Sequence, residues 1–408
     1  MNFIKVGMSL ISGFSCTLTS LAADSYQDQL MLELITASPG TVIEIPEGTF
    51  QFDQQLSLAV DGVTIRGKGM DRSILSFSGQ QLGAEGLLVT SNGVTLEGFT
   101  IEDTKGDAIK INRADGVVLR GVQARWTQGP ATENGAYGLY PVQSRNILIE
   151  GSVVSGASDA GIYVGQSRNV IIRQNQALYN VAGIEVENSV HVDVYDNFVT
   201  KNTGGVLVFN LPDLSMYGER TRVYGNTIVE NNTPNFSPPS NTVADVPAGT
   251  GVMVTANKKV EIFNNFIADH KTSNIILASY AVTGRPINDP NYDPYVESLY
   301  LHDNTMLRGG FDPQGGASEA SQGLFQLLKE LIGVPFPSIL YDGSFNPERR
   351  NQDGTIPANL KICIVDNFNA SFIDLNLSDD MQNISTDLTP HQCTLDQDAP
   401  VVLPDQMG

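Results

Sequence analysis

Six segments of the chain repeat one short pattern: DGVTIRGKG from Asp61, NGVTLEGFT from Asn92, DGVVLRGVQ from Asp115, RNILIEGSV from Arg145, RNVIIRQNQ from Arg168 and VHVDVYDNF from Val190. They recur every 22 to 31 residues. A second short apolar strand follows each: GLLV at Gly86, AIKI at Ala108, GLYP at Gly138, GIYV at Gly161, GIEV at Gly183, GVLV at Gly205 and GVMV at Gly251. A strand with apolar residues at alternate positions has one face to bury and cannot bury it alone. Coils of such strands bury it against one another, and a short repeat is the signature of a solenoid. The pattern therefore predicts an all-β fold, a right-handed parallel β-helix. A short helix, Tyr26 to Ala37, caps its start, and a helical insertion at about residues 318–333 stands near its end.

Three columns support the stacking. Gly62, Gly93, Gly116, Asn146, Asn169 and His191 each precede the first inward residue of a coil. Gly and Asn tolerate positive φ, and His less often, so this column asks for a left-handed backbone. After the first strand come Asn175, Asn197, Asn226, Asn265, Asn304 and Asn367, whose amides can bond from coil to coil. The last outward position of the first strand reads Arg66, Glu97, Arg120, Glu150, Arg173, a charge ladder that neutralises itself. In the C-terminal insertion, Leu324, Leu327, Leu328 and Leu331 fall on one helical face and Gly333 ends it.

Lys5 followed by an apolar and small-residue run ending at Ser20-Leu21-Ala22-Ala23 reads as a secretory signal over residues 1–22. The same reading expects the β-helix over residues 23–377 and an acidic tail over 378–408. Two cysteines remain after the signal, Cys363 and Cys393, an even number in an exported chain, and they are expected to form a disulfide that ties the tail. The compartment is then periplasmic or extracellular. No later stretch is long and apolar enough to span a membrane. With 24 Lys+Arg against 45 Asp+Glu, the formal net charge is −21, which repels nucleic acid and anionic surfaces. A monomer is expected.

These repeats, with the opening PGTVIEIPEGTF at Pro39, resemble the pectin-lyase-like right-handed β-helix superfamily. Within it the resemblance is to exported β-helix repeat proteins, a group that includes mannuronan epimerases and NosD. It covers roughly Tyr26 to Asn304 and implies the fold, and a polysaccharide or oligosaccharide, possibly acidic, as partner. Epimerases of this kind carry Tyr-Gly-x-Asp-Pro-His. Here the segment reads Tyr137-Gly138-Leu139-Tyr140-Pro141-Val142, without the acid or the imidazole. Neither a Gly-His-Gly with paired aspartates nor an Arg-x-Pro-x-x-Arg is present.

The outward position of the second strand reads Leu88, Lys110, Tyr140, Tyr163, Glu185, Leu207, Met253, Ile276. Its central four residues join a cation, two phenols and an acid. In a β-elimination or epimerisation of a uronate they would serve as carboxylate neutraliser, acid or base, and hydroxyl or Ca²⁺ ligand. Arg125, Trp126 and Tyr137 are the candidate substrate-binding residues, with Trp126 expected to overhang the column from the turn RWTQGPATENGAY. No pair of histidines stands at metal-ligand spacing and no calcium-loop motif occurs, so no cofactor is expected, with Ca²⁺ the one left open. Long insertions at Asn210–Arg220 and Asn231–Gly249 are further candidates for binding. Two readings result: a non-catalytic carbohydrate-binding or scaffold protein of the cell envelope, which the missing motifs favour, and a polysaccharide lyase or C5-epimerase.

Overall fold

The computed structural model describes residues 25–404. The signal segment expected at residues 1–22 lies outside them. Three parallel sheets of 11, 10 and 11 strands run the length of the solenoid. The first runs from Val42–Glu44 to Ile362–Val365, the second from Gly48–Gln51 to Thr305–Leu307 and the third from Gln54–Leu58 to Phe372–Asp374. Successive strands of the chain visit the three sheets in turn, and this is the all-β right-handed parallel β-helix expected from the repeats.

Inward residues form one continuous apolar stack. Val117, Ile147, Val170, Val192 and Val260, and Ile109, Leu139, Ile162, Ile184 and Val206, are all fully or almost fully buried. Burying a side chain of this size stabilises by roughly 1.5 to 3 kcal/mol. Helix α1, Tyr26–Thr36, closes the N-terminal end with Leu30 and Leu34, and its start is fixed by a capping box between Ser25 and Asp28.

All six residues of the turn column have positive φ, from 53° at Asn146 to 72° at Gly116. The column continues with Arg220, Lys259 and Ser298, at φ 59°, 53° and 56°. Those side chains gave no sign of it, because at this turn the stacking of coils outweighs residue preference.

The asparagine column is a continuous hydrogen-bonded ladder. Each Oδ1 accepts the backbone N–H and the Nδ2 of the preceding coil's asparagine, as between Asn197 and Asn226 at 3.0 and 2.9 Å. The same pattern runs through Asn265, Asn304 and Asn367. A second ladder, at the corner between the second and third sheets, links Asn180, Asn202 and Asn231 and ends on His270. Burial pushes the His270 imidazole down to about 4, so it stands neutral as a rung.

The charge ladder holds its expected register, with Arg120 opposite Glu97 and Glu150. Arg120 Nε lies 2.5 Å from Glu150, and Arg173 Nη2 2.6 Å from the same carboxylate. In later coils the position becomes a stack of rings, Tyr195, Tyr224, Phe263 and His302. Arg120 is 43% exposed, so Arg120→Ala is expected to change the unfolding free energy by less than about 1 kcal/mol in urea titration.

Helix α2, Glu319–Ile332, is the expected insertion, and only part of its leucine face packs, with Leu324 and Leu328 inward. Ser321, Phe325 and Leu328 are buried, whereas Leu327 and Leu331 are exposed. Phe325 decides the rotation: it fills the space against Phe336, which the next segment brings beneath the helix. Cys363 and Cys393 form the expected disulfide. Beyond it the chain folds back along the outer face of the first sheet. Arg222 donates to Asp398 O, the Val401 N–H donates to Asp193, and Leu403 packs on Val118 and Leu148. Closing a loop of this length stabilises by about 3 to 4 kcal/mol in the chain-entropy model.

Candidate functional site

The outward column of the third sheet is assembled in the expected register. Leu88 pairs with Lys110, Lys110 with Tyr140, Tyr163 with Glu185, and Glu185 with Leu207. The column divides into two halves. From Leu207 onward it lies under apolar cover, where Met253, Ile276 and Leu340 pack with Phe325 and Leu328 of α2. The void left there, about 70 Å³, is lined mostly by apolar side chains and has no room for a sugar.

Two insertions close over the boundary between the halves. One is the Asn231–Gly249 segment, between the second and third sheets; the other, residues 279–298, joins the third sheet to the first. Arg285 of the second donates to Asn241 O at 3.0 Å and to Asp245 of the first at 3.1 Å. Asn241 in turn donates to Asp159 at 3.0 Å.

The open half carries the polar groups. Tyr137, Tyr140 and Tyr163 form one cluster with ring centroids 4.4, 4.5 and 5.0 Å apart. Tyr137 and Tyr140 are partly exposed, while Tyr163 is buried behind them. Tyr163 lies across Gly165, where a Cβ would stand 2.3 Å from its ring, and its hydroxyl donates to Glu187 at 2.6 Å. Lys110 sits over the Tyr140 ring at 5.0 Å and is held by Glu85 at 3.1 Å and Asp107 at 3.8 Å.

Behind the tyrosines lie three buried carboxyls, Asp159, Glu185 and Glu187. Burial, then the neighbouring Glu187, pushes Asp159 up to about 8; burial pushes Glu187 up to about 7. Glu185 is raised well above the usual carboxyl range by burial, and its Oε2 has no hydrogen-bond partner. Asp107 is raised to about 6 by burial, with Lys110 opposing the shift. The phenols of Tyr137, Tyr140 and Tyr163 are raised too, first by burial and then by these acids. Protonated carboxyls satisfy the cluster near neutral pH, because several ionised groups crowded out of water would repel one another.

The remaining candidates are placed elsewhere. Arg125 belongs to the second sheet, on a different face, and both its Nε and Nη2 bond Glu102, at 3.0 and 2.8 Å. It therefore supplies no free positive charge beside Lys110. Trp126 does not overhang the column: it is 6% exposed, and its indole N–H donates to Thr104 O at 2.8 Å. Gly135 and Gly156 leave the space it fills, so the turn is packed around it. Among the described residues no group of three or more His, Cys, Asp or Glu side chains is arranged to hold a metal ion.

Sequence reasoning missed Glu85, Asp107, Asp159 and Glu187. Glu187 was visible as the next outward residue after Glu185 on one strand, because outward positions alternate. Asp159 and Asp107 precede their strands in turns, where nothing in the local pattern points them inward.

Residues 61–228 match the family model of the right handed beta helix region. No curated protein matches the sequence. Among solved structures, the chain is similar to the A-module of a mannuronan C-5 epimerase from Azotobacter vinelandii at 17% identity and TM-score 0.46, over 69% of this chain and 81% of that one. It is similar to an exopolygalacturonase from Thermotoga maritima at 12% identity and TM-score 0.48, over 69% and 77% of the two chains. A PL6 alginate lyase solved with a trisaccharide aligns at 13% identity and TM-score 0.46, over 94% of both chains. No helix among the described residues is long and apolar enough to cross a membrane.

Proposed function

We infer that this right-handed parallel β-helix, of the pectin-lyase-like superfamily fold, is an exported carbohydrate-binding protein whose site is the open half of the third sheet. The observation that carries the reading is the partly exposed pair Tyr137 and Tyr140, packed together beside Lys110, Glu85 and Asp107. Aromatic faces cover the apolar side of a pyranose ring, and a charged rim of donors and acceptors bonds its hydroxyls. The disulfide fits an oxidising compartment.

The same geometry favours a neutral sugar over a uronate. The lysine of the column, Lys110, is already paired with Glu85 and Asp107. A uronate carboxylate would meet no unpaired positive charge there. Lyase or epimerase chemistry fits less well. A phenol acting as base needs its pKa brought toward the working pH, whereas these phenols are pushed away from it. Asp159 and Glu185 are buried behind the tyrosines, out of reach of a bound sugar.

Calorimetric titration with matched sets of neutral gluco- and manno-oligosaccharides and of oligogalacturonates tests this. Binding to a neutral set is expected. Tyr140→Ala is expected to weaken it by about 1 to 3 kcal/mol, through lost stacking, while Arg120→Ala leaves it unchanged. Preference for oligogalacturonate, or unsaturated product absorbing near 235 nm, would overturn the reading.

A further inference from the structure

The second sheet carries a pattern that the third-sheet site does not use. Down its first outward position run Phe198, Thr227, Phe266 and Thr305 in successive coils, and Phe368 pairs with Thr305 in the next. Phenylalanine thus alternates with threonine. The three rings are 43%, 40% and 67% exposed. Large apolar rings left in water at regular intervals on a rigid surface mark an interaction face.

The spacing and the charge identify the partner. Rings stacked one per coil in the first sheet stand 4.8 Å apart, so rings on every second coil stand about 9.6 Å apart. A flat, two-fold β-1,4-linked glycan presents the same ring face at every second residue, a repeat close to two coil steps. The parallel column, Leu178, Thr200, Val229, Ala268 and Leu307, is also uncharged. On a chain of net charge −21, an uncharged stripe complements an uncharged polymer, whereas a polyanion is repelled by the surrounding surface. Threonines between the rings leave room for the alternate sugar and offer hydroxyls to it.

We propose that the Phe198–Phe266–Phe368 stripe binds the flat face of a neutral β-1,4-linked polysaccharide, with one phenylalanine under every second sugar. This surface lies on a different sheet from the tyrosine cluster and does not depend on the reading given to it.

Co-sedimentation of the full chain with microcrystalline cellulose and with chitin, at 0.15 M salt, tests the proposal. Saturable binding to at least one polymer is expected. Phe266→Thr, and the triple variant with Phe198→Thr and Phe368→Thr, should weaken it about tenfold or more, and Arg120→Ala should not. The threonine replacements copy the residues of the intervening coils, and far-ultraviolet spectra would confirm that the variants fold. Absence of saturable binding to both polymers would overturn the proposal, as would binding unchanged in the triple variant. So would a triple variant that alters only self-association in sedimentation velocity, since the stripe would then face a second copy of the chain.

Discussion

Replacing Asn226 by alanine is expected to lower the unfolding free energy by about 3 to 5 kcal/mol. Asn226 is a fully buried rung in the middle of the ladder. Its Oδ1 accepts the N–H and Nδ2 of Asn197, at 3.0 and 2.9 Å, and its Nδ2 donates to Val194 O and to Asn265 Oδ1, both at 2.9 Å. Alanine leaves the Asn197 N–H and Val194 O facing a void that a single water cannot fill with equal geometry. Each orphaned buried group costs about 1 to 3 kcal/mol. At the end of the ladder Asn367 is half-exposed, and water replaces its bonds, so Asn367→Ala is expected to cost about 1 kcal/mol. Urea titration of both variants checks the difference. Equal losses would show that the ladder is a by-product of stacking and carries little of the stability.

The buried carboxyls give the second large effect, and its sign is fixed. Asp159 and Glu187 have ordinary values of 3.8 and 4.5, raised in the folded protein to about 8 and about 7. Below about pH 4 both folded and unfolded chains hold these protons and the groups cost nothing. As pH rises above that, the unfolded chain releases protons that the folded chain keeps, so stability falls through the window from about 4 to about 8 and then levels. For two such carboxyls together the loss is on the order of 5 to 10 kcal/mol. Other buried acids, Asp342 among them, shift in the same direction, so the wild-type slope alone does not isolate this pair. The double variant Asp159→Asn, Glu187→Gln keeps the shapes and the acceptor for the Tyr163 hydroxyl while removing both charges. It is expected to flatten the slope between pH 5 and 8, and at pH 8 to be more stable than the wild type by several kcal/mol. A variant with the wild-type slope would mean that the pair ionises without cost, as an exposed pair would.

How far the sequence was legible follows from which forces are local. The strand columns, the left-handed turns and the first asparagine ladder repeat once per coil, so one chain records each of them many times over. The second ladder carried a signal too: Asn175 and Asn180, Asn197 and Asn202, and Asn226 and Asn231 share one spacing. Lys110, Tyr140, Tyr163 and Glu185 were readable as a column because strand alternation assigns them to one face. Their environment was not readable. That Arg285 reaches Asn241 across the third sheet, and that Asn241 reaches Asp159, depends on two insertions folding toward each other. No periodicity encodes such contacts. Arg125 and Trp126 were misplaced for a related reason. They stand at the corner between the second and third sheets, where a change of one residue in the turn sends a side chain out beside the column, into the core or onto the other sheet.

The most direct test of the third-sheet site is hydrogen–deuterium exchange of the wild type, with and without the neutral oligosaccharide that binds most tightly in calorimetry. Protection is expected in the strands that carry the open half, residues 82–89, 109–112, 137–142 and 160–165, with the roofed strands beyond Gly204 unchanged. Protection centred instead on the cleft of about 670 Å³ between the first sheet and Thr394–Asp398, or no oligosaccharide-dependent protection in those open-half strands, would contradict the account.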